Sequence, residues 1–194
     1  MAAKSSNKIK GRDEDKNDFK VKIMKDNVIY AVGKSGKFLI GRVLPGHDFI
    51  EGIEDAFRKS GFKSGNLISC VGSLKQASFI YIKPKPGGLM GVGYDAPTIL
   101  EGPLEFLSMQ GPMARDEDEE ISYHFHGTLM DKEGRVWGGH FYREGTVMPD
   151  GQRLPGGNPV LATIDFTILA HEGAKISRKL DPQLGIKALI PESE

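Results

Sequence analysis

Residues 121–142 read Ile-Ser-Tyr-His-Phe-His-Gly-Thr-Leu-Met-Asp-Lys-Glu-Gly-Arg-Val-Trp-Gly-Gly-His-Phe-Tyr. Ile121–Met130 and Arg135–Tyr142 read as two strands. The link between them, Asp131-Lys132-Glu133-Gly134-Arg135, fits a three-residue hairpin loop: a type I turn followed by a left-handed glycine at Gly134. Asp131 then pairs with Arg135, which sets His126 opposite His140. Side chains alternate along a strand, so His124 shares that face one diagonal away, and Phe125 points to the other. Opposed residues bring their Cβ atoms to about 4.5–5.5 Å, close enough for three imidazoles to converge on one ion. A slip of one residue would turn His140 to the far face. The turn chemistry therefore supports the cluster independently of the histidine count.

Three neutral imidazoles with an open fourth position suit a catalytic-type zinc ion, and imidazole also suits other divalent metals such as iron, copper and nickel. The bland alternative is three histidines on a polar, solvent-facing sheet. Gly138 and Gly139 remove side-chain bulk just before His140, where a ligand or another backbone must approach closely. Glu105 falls in a strand expected near the site. It could bind the ion, orient a histidine or act on bound water, or it could instead be half-buried and paired with Arg42. Glu105 and Arg42 are the catalytic candidates. Arg42, Arg143 and Arg178 are cations suited to holding a substrate carboxylate.

Outward from this hairpin, Asn27–Val32 and Lys37–Val43 read as a second hairpin around Gly33-Lys34-Ser35-Gly36. Gly33-Lys34-Ser35 is not a phosphate-binding loop, because Val28 stands where its first glycine is required. Asp48 is placed to cap a helix, with Glu51 three residues on. Phe49, Ile50, Ile53, Ala56 and Phe57 form its apolar stripe, and Gly61 ends it. Leu67–Val71, Ala77–Ile82, Leu104–Met109, Pro159–Leu169 and Lys175–Leu180 read as further strands. The Gly/Pro-rich stretches Lys83–Pro97 and Glu144–Asn158 read as long loops, and the charge run Arg115–Glu120 as a solvated loop. Many strands, one clear helix and hairpin links predict an α+β domain, an antiparallel sheet with helical cover, over residues 19–190. Residues 1–18 interleave basic and acidic side chains without aromatics, which predicts a disordered, solvated tail rather than a nucleic-acid arm. Gly11-Arg12-Asp13 lacks the Arg-Pro core of a minor-groove AT-hook.

The chain has 194 residues and zero formal net charge, so no whole-protein basic field draws it to nucleic acid. A single cysteine, Cys70, excludes an intrachain disulfide and suits a reducing compartment. The first 25 residues lack the apolar core of a signal peptide, and no stretch approaches the roughly 20 apolar residues of a spanning helix. The expected location is the cytoplasm, with no membrane contact.

An ordered set of segments resembles the PPC domain (plants and prokaryotes conserved). Pro45-Gly46-His47-Asp48-Phe49-Ile50 resembles the entry to its helix. Gly72-Ser73-Leu74 with Ala77-Ser78 is similar to its Gly-x-Leu-x-x-Ala segment, and Glu101–Gly111 to its Phe-Glu-Ile-Leu-Ser signature. His124–His140 matches its prokaryotic His-x-His and Gly-Gly-His block, and Arg178, Asp181 and Gly185 resemble its tail. The likeness spans about Arg42 to Leu189. It departs at Pro103-Leu104, where a large aromatic is usual. It implies a compact domain, usually a homotrimer, and the DNA-binding label its members carry. A DNA-binding chain would show a basic patch near Lys34, Lys37, Lys83 and Lys85. The histidine hairpin is also similar to the zinc site of acetolactate decarboxylase, which implies a small zinc-dependent enzyme of lyase or hydrolase type with an oxygen-rich small-molecule ligand at the metal. A DNA-binding or regulatory module and a metalloenzyme both remain open at this level.

Overall fold

The computed structural model describes residues 22–23, 29–30, 33–94, 96–116, 120–148, 151–181 and 186–193. The tail expected over residues 1–18 lies outside them. Seven strands make one antiparallel sheet: β1 (Lys34–Val43), β2 (Ser64–Ile80), β3 (Thr98–Arg115), β4 (Ile121–Tyr123), β5 (His126–Met130), β6 (Val136–Phe141) and β7 (Val160–Glu172). Their order is β1-β7-β2-β6-β5-β3-β4, and a further β2–β3 pairing closes β2, β6, β5 and β3 into a ring. Separate two-stranded ribbons join Ile82–Pro84 to Val92–Tyr94 and Ala174–Asp181 to Ile186–Ser193.

The helix α1 (Phe49–Ser60) forms as its signals predict. The Asp48 carboxylate accepts from the amides of Ile50 at 2.9 Å and Glu51 at 3.2 Å, and Gly61 ends the helix at φ 76°. Its apolar stripe packs into the ring: Phe49 lies 5.1 Å from Phe106 and 6.3 Å from Phe141, centroid to centroid. With Phe57, Phe79 and Phe125 these rings are fully buried. Each contributes roughly 1.5–3 kcal/mol through burial. Glu54 breaks the stripe as a carboxylate on the buried face.

Several expectations need correction. The α+β class with helical cover does not hold: 64% of the described residues are in strands and 10% in helix, so the fold is β-rich. The strands are longer than their apolar runs suggested. Leu67–Val71 and residues 77–80 belong to a single 17-residue strand that stops short of Ile82, and Gly111-Pro112 does not end the 18-residue β3. Gly72 and Gly111, both at φ 151°, let these strands bend and continue. The segment Lys83–Pro97 carries a ribbon. The hairpin expected from Asn27–Val32 to Lys37–Val43 is not seen among the described residues: Ile29–Tyr30 pairs with Lys22–Ile23, and β1 pairs with β7 across the sheet. No helix among the described residues is long and apolar enough to cross a membrane.

Candidate metal centre

The β5–β6 hairpin has the register its turn predicts, with His140 opposite His126 and Val136 opposite Met130. Asp131 builds the turn. Its backbone amide bonds the Arg135 carbonyl at 3.0 Å, and its carboxylate accepts from the amides of Glu133 and Arg135 and from Nε1 of Trp137. Gly134 takes the left-handed conformation at φ 80°. The expected single strand Ile121–Met130 is interrupted at His124-Phe125. There the His124 amide bonds the Pro112 carbonyl, and the Phe125 carbonyl accepts from the Phe141 amide. Phe125 is buried while His124 turns outward.

His124, His126 and His140 meet. Their ring centroids are 4.9, 5.2 and 5.3 Å apart, and one nitrogen from each falls within 4.8 Å of the others. Nε2 of His124 lies 3.0 Å from Nε2 of His126. Burial, and then the other two imidazoles, push His140 down to about 4. Burial and His126 lower His124 as well. His140 is therefore neutral at physiological pH and has a lone pair to donate. Nδ1 of His140 is buried and has no hydrogen-bond partner among the described residues. Such an orphaned nitrogen is costly unless something binds it. The donor set and the orphaned atom both fit a divalent ion.

Gly138 and Gly139 each admit a close backbone approach. A Cβ on Gly138 would lie 2.6 Å from the Gly127 carbonyl oxygen, and one on Gly139 2.5 Å from that of Ile80. Gly111 admits the ligand loop itself, since a Cβ there would lie 1.9 Å from the His124 carbonyl oxygen.

The catalytic candidates fall outside the cluster. Glu105 stands opposite Met130 on β5 and is not one of the converging ligands. Nor does it pair with Arg42, whose Nε donates to Asp165 at 2.6 Å across the β1–β7 ladder. Arg143 is drawn to Glu54 at 3.1 Å and Arg178 to the Ser122 hydroxyl at 3.4 Å. What the sequence reading missed is Gln110, the β3 neighbour of His126, and Tyr94, whose ring lies 6.4 Å from that of His140. Gln110 sits just before Gly111 in the stretch resembling the family signature, but its pairing with His126 is non-local.

The sequence profile of the Plants and Prokaryotes Conserved (PCC) domain, the domain abbreviated PPC above, matches residues 30–152. The chain belongs to the PCC domain family. Among solved structures, this PCC chain resembles a metal-containing protein of Archaeoglobus fulgidus at 23% identity and TM-score 0.62, covering 82% of this chain and 96% of that one. It resembles a plant- and prokaryote-conserved protein of Pyrococcus horikoshii at 22% identity and TM-score 0.62, covering 84% and 96%. A candidate DNA-binding protein of Ralstonia eutropha JMP134 aligns at 20% identity and TM-score 0.58, covering 79% and 95%. At these identities the likeness establishes the fold. The bifunctional protein GlmU of Synechococcus sp. (strain JA-3-3Ab) is 27% identical over 144 residues, or 74% of this chain. The PCC chain spans only 19% of the length of that relative.

Proposed function

We propose that this PCC-domain protein is a metal-binding protein that holds a divalent ion, zinc by preference, through His124, His126 and His140. The convergence of three imidazole nitrogens, two of them on directly opposed residues of a hairpin, carries this reading. It is supported by the orphaned Nδ1 of His140 and by the name of the Archaeoglobus fulgidus relative. A zinc ion so bound supplies a Lewis acid with an open position for an oxygen donor. The chain's own residues position the three rings, and burial of His140 keeps its ring unprotonated. This favours an enzymatic or ligand-binding use, as does the similarity of the hairpin to the acetolactate decarboxylase site. The homotrimer implied by the family accords with exposed apolar side chains at Phe38, Ile40, Ile68 and Val71.

The test is metal content by elemental analysis of protein purified without a histidine tag. About one zinc per chain, lost in His126→Ala, is the expected result. No metal in either sample after reconstitution would overturn it.

A second reading, a DNA-binding or regulatory module, is favoured by the name of the Ralstonia eutropha relative. Against it stands the zero net charge. Lys34 and Lys37 lie on or beside β1, whereas Lys83 sits in the 82–94 ribbon, its ammonium 4.9 Å from the ring of Tyr81. DNA affinity that falls steeply with salt would support this reading.

A further inference from the structure

The sheet register lays out the outer surface beside the histidines in rows. The first row runs His140, His126, Gln110 across β6, β5 and β3. The second, two residues along, is Gly138, Thr128, Ser108. The third is Val136, Met130, Glu105. The second row carries no side chain at Gly138 and two small ones after it. A depression of about 330 Å³ results, lined by Ser108, Gln110, His126, Thr128 and the bare backbone of Gly127, Gly138 and Gly139. That volume is at the small end for ligand pockets.

Its chemistry is specific. No carboxylate joins the ligand cluster among the described residues, so a divalent ion on three neutral imidazoles keeps its full double charge. The lining is uncharged and can donate hydrogen bonds. Ser108 Oγ and Thr128 Oγ1 lie 3.0 Å apart, so one hydroxyl donates to the other and the second proton is free for a ligand. The Gln110 amide offers two further donors. Beyond them stands the exposed carboxylate of Glu105. It lies four β5 residues from the His126 row, about 13 Å at the usual strand rise.

We propose that this depression seats a short oxygen-donor anion, a hydroxy- or keto-carboxylate of two to four carbons, between the ion and the Gln110, Thr128 and Ser108 donors. Glu105 limits its length by repelling a second, distal carboxylate. The proposal rests on the metal-binding reading. Attraction comes from the ion and orientation from the neutral donors, so the metal-free protein does not bind the anion.

The test uses the full chain loaded with cobalt(II), whose visible absorption reports a change of ligand, after metal content has been measured. Absence of bound cobalt overturns the metal reading itself, and this inference with it. With cobalt bound, glycolate is expected to change the spectrum saturably, and glutarate to do so far less. Gln110→Leu is expected to weaken glycolate about fivefold, as for the loss of one hydrogen bond, at unchanged cobalt content. Glu105→Gln is expected to narrow the gap between glutarate and glycolate. The inference alone is overturned by any of three results: a spectrum indifferent to glycolate at tens of millimolar, equal binding of the two acids, or Gln110→Leu behaving as wild type.

Discussion

Nη1 of Arg143 donates to Oε2 of Glu54 at 3.1 Å, and the Glu54 side chain is only 6% exposed. Arg143 follows β6 three residues after His140, so this bond ties the end of the ligand hairpin to α1. Burial pushes Glu54 up to about 7 against the pull of Arg143.

This pair predicts a pH-dependent stability. The folded value of Glu54 lies above its ordinary 4.5, so the unfolded chain releases this proton first as pH rises. The contribution is complete below pH 4.5 and is lost as pH rises to about 7, on the order of 3 kcal/mol. Glu54→Gln should abolish that loss in urea unfolding at pH 5 and pH 8. Arg143→Ala should extend the loss to higher pH, because the buried carboxylate then keeps only the weaker pull of Arg58.

In metal-free protein, His140 works the other way. Its folded value of about 4 lies below the ordinary 6.5, so the unfolded chain takes up the proton first. Its contribution is intact above pH 6.5 and lost as pH falls to about 4, on the order of 2 kcal/mol after allowance for partial exposure. Relative to wild type, metal-free His140→Ala should gain by that amount between pH 7 and pH 4. An unchanged difference in unfolding free energy across this range would show that His140 titrates normally in the fold.

Gly111→Ala tests how the ligand loop is placed. The new Cβ meets the His124 carbonyl oxygen at 1.9 Å, and φ 151° disfavours any side chain. Relief requires the His124–Phe125 segment to move. Stability should fall by about 2–4 kcal/mol, and zinc retention should fall with it. Gly87→Ala, where a Cβ meets nothing within 4 Å, is the matched control. It should cost only the left-handed strain of about 1–2 kcal/mol and leave zinc binding intact.

Asp131 predicts a turn-specific loss. Burial raises its carboxyl, but hydrogen bonds from Trp137, Arg135 and Glu133 outweigh this and hold it down to about 2. Its stabilisation is present above the ordinary 3.8 and lost as pH falls through 2. Asp131→Ala should lower the melting temperature clearly at pH 7 and far less at pH 2. If it also loosens the register, zinc binding weakens although no ligand was touched. Equal melting temperatures for the two proteins at pH 7 would exclude this role.

The sequence by itself determined what local rules govern. Asp131 and Gly134 dictate the hairpin loop, and the two-residue period then carries the register five residues along each strand to His126 and His140. Asp48, the Phe49–Phe57 stripe and Gly61 likewise specify α1 within about fourteen residues. The tertiary structure alone decided the long-range pairings. It set Gln110 beside His126, placed Glu105 two rows away, paired Arg42 with Asp165 and buried Glu54 under Arg143. It also decided the β-rich class, through long strands that run on past Gly72 and Gly111, both at φ 151°, and so serve two neighbours. These contacts join segments tens to more than a hundred residues apart. Their energies depend on which strand edges meet, and no short-range period in the sequence encodes that choice.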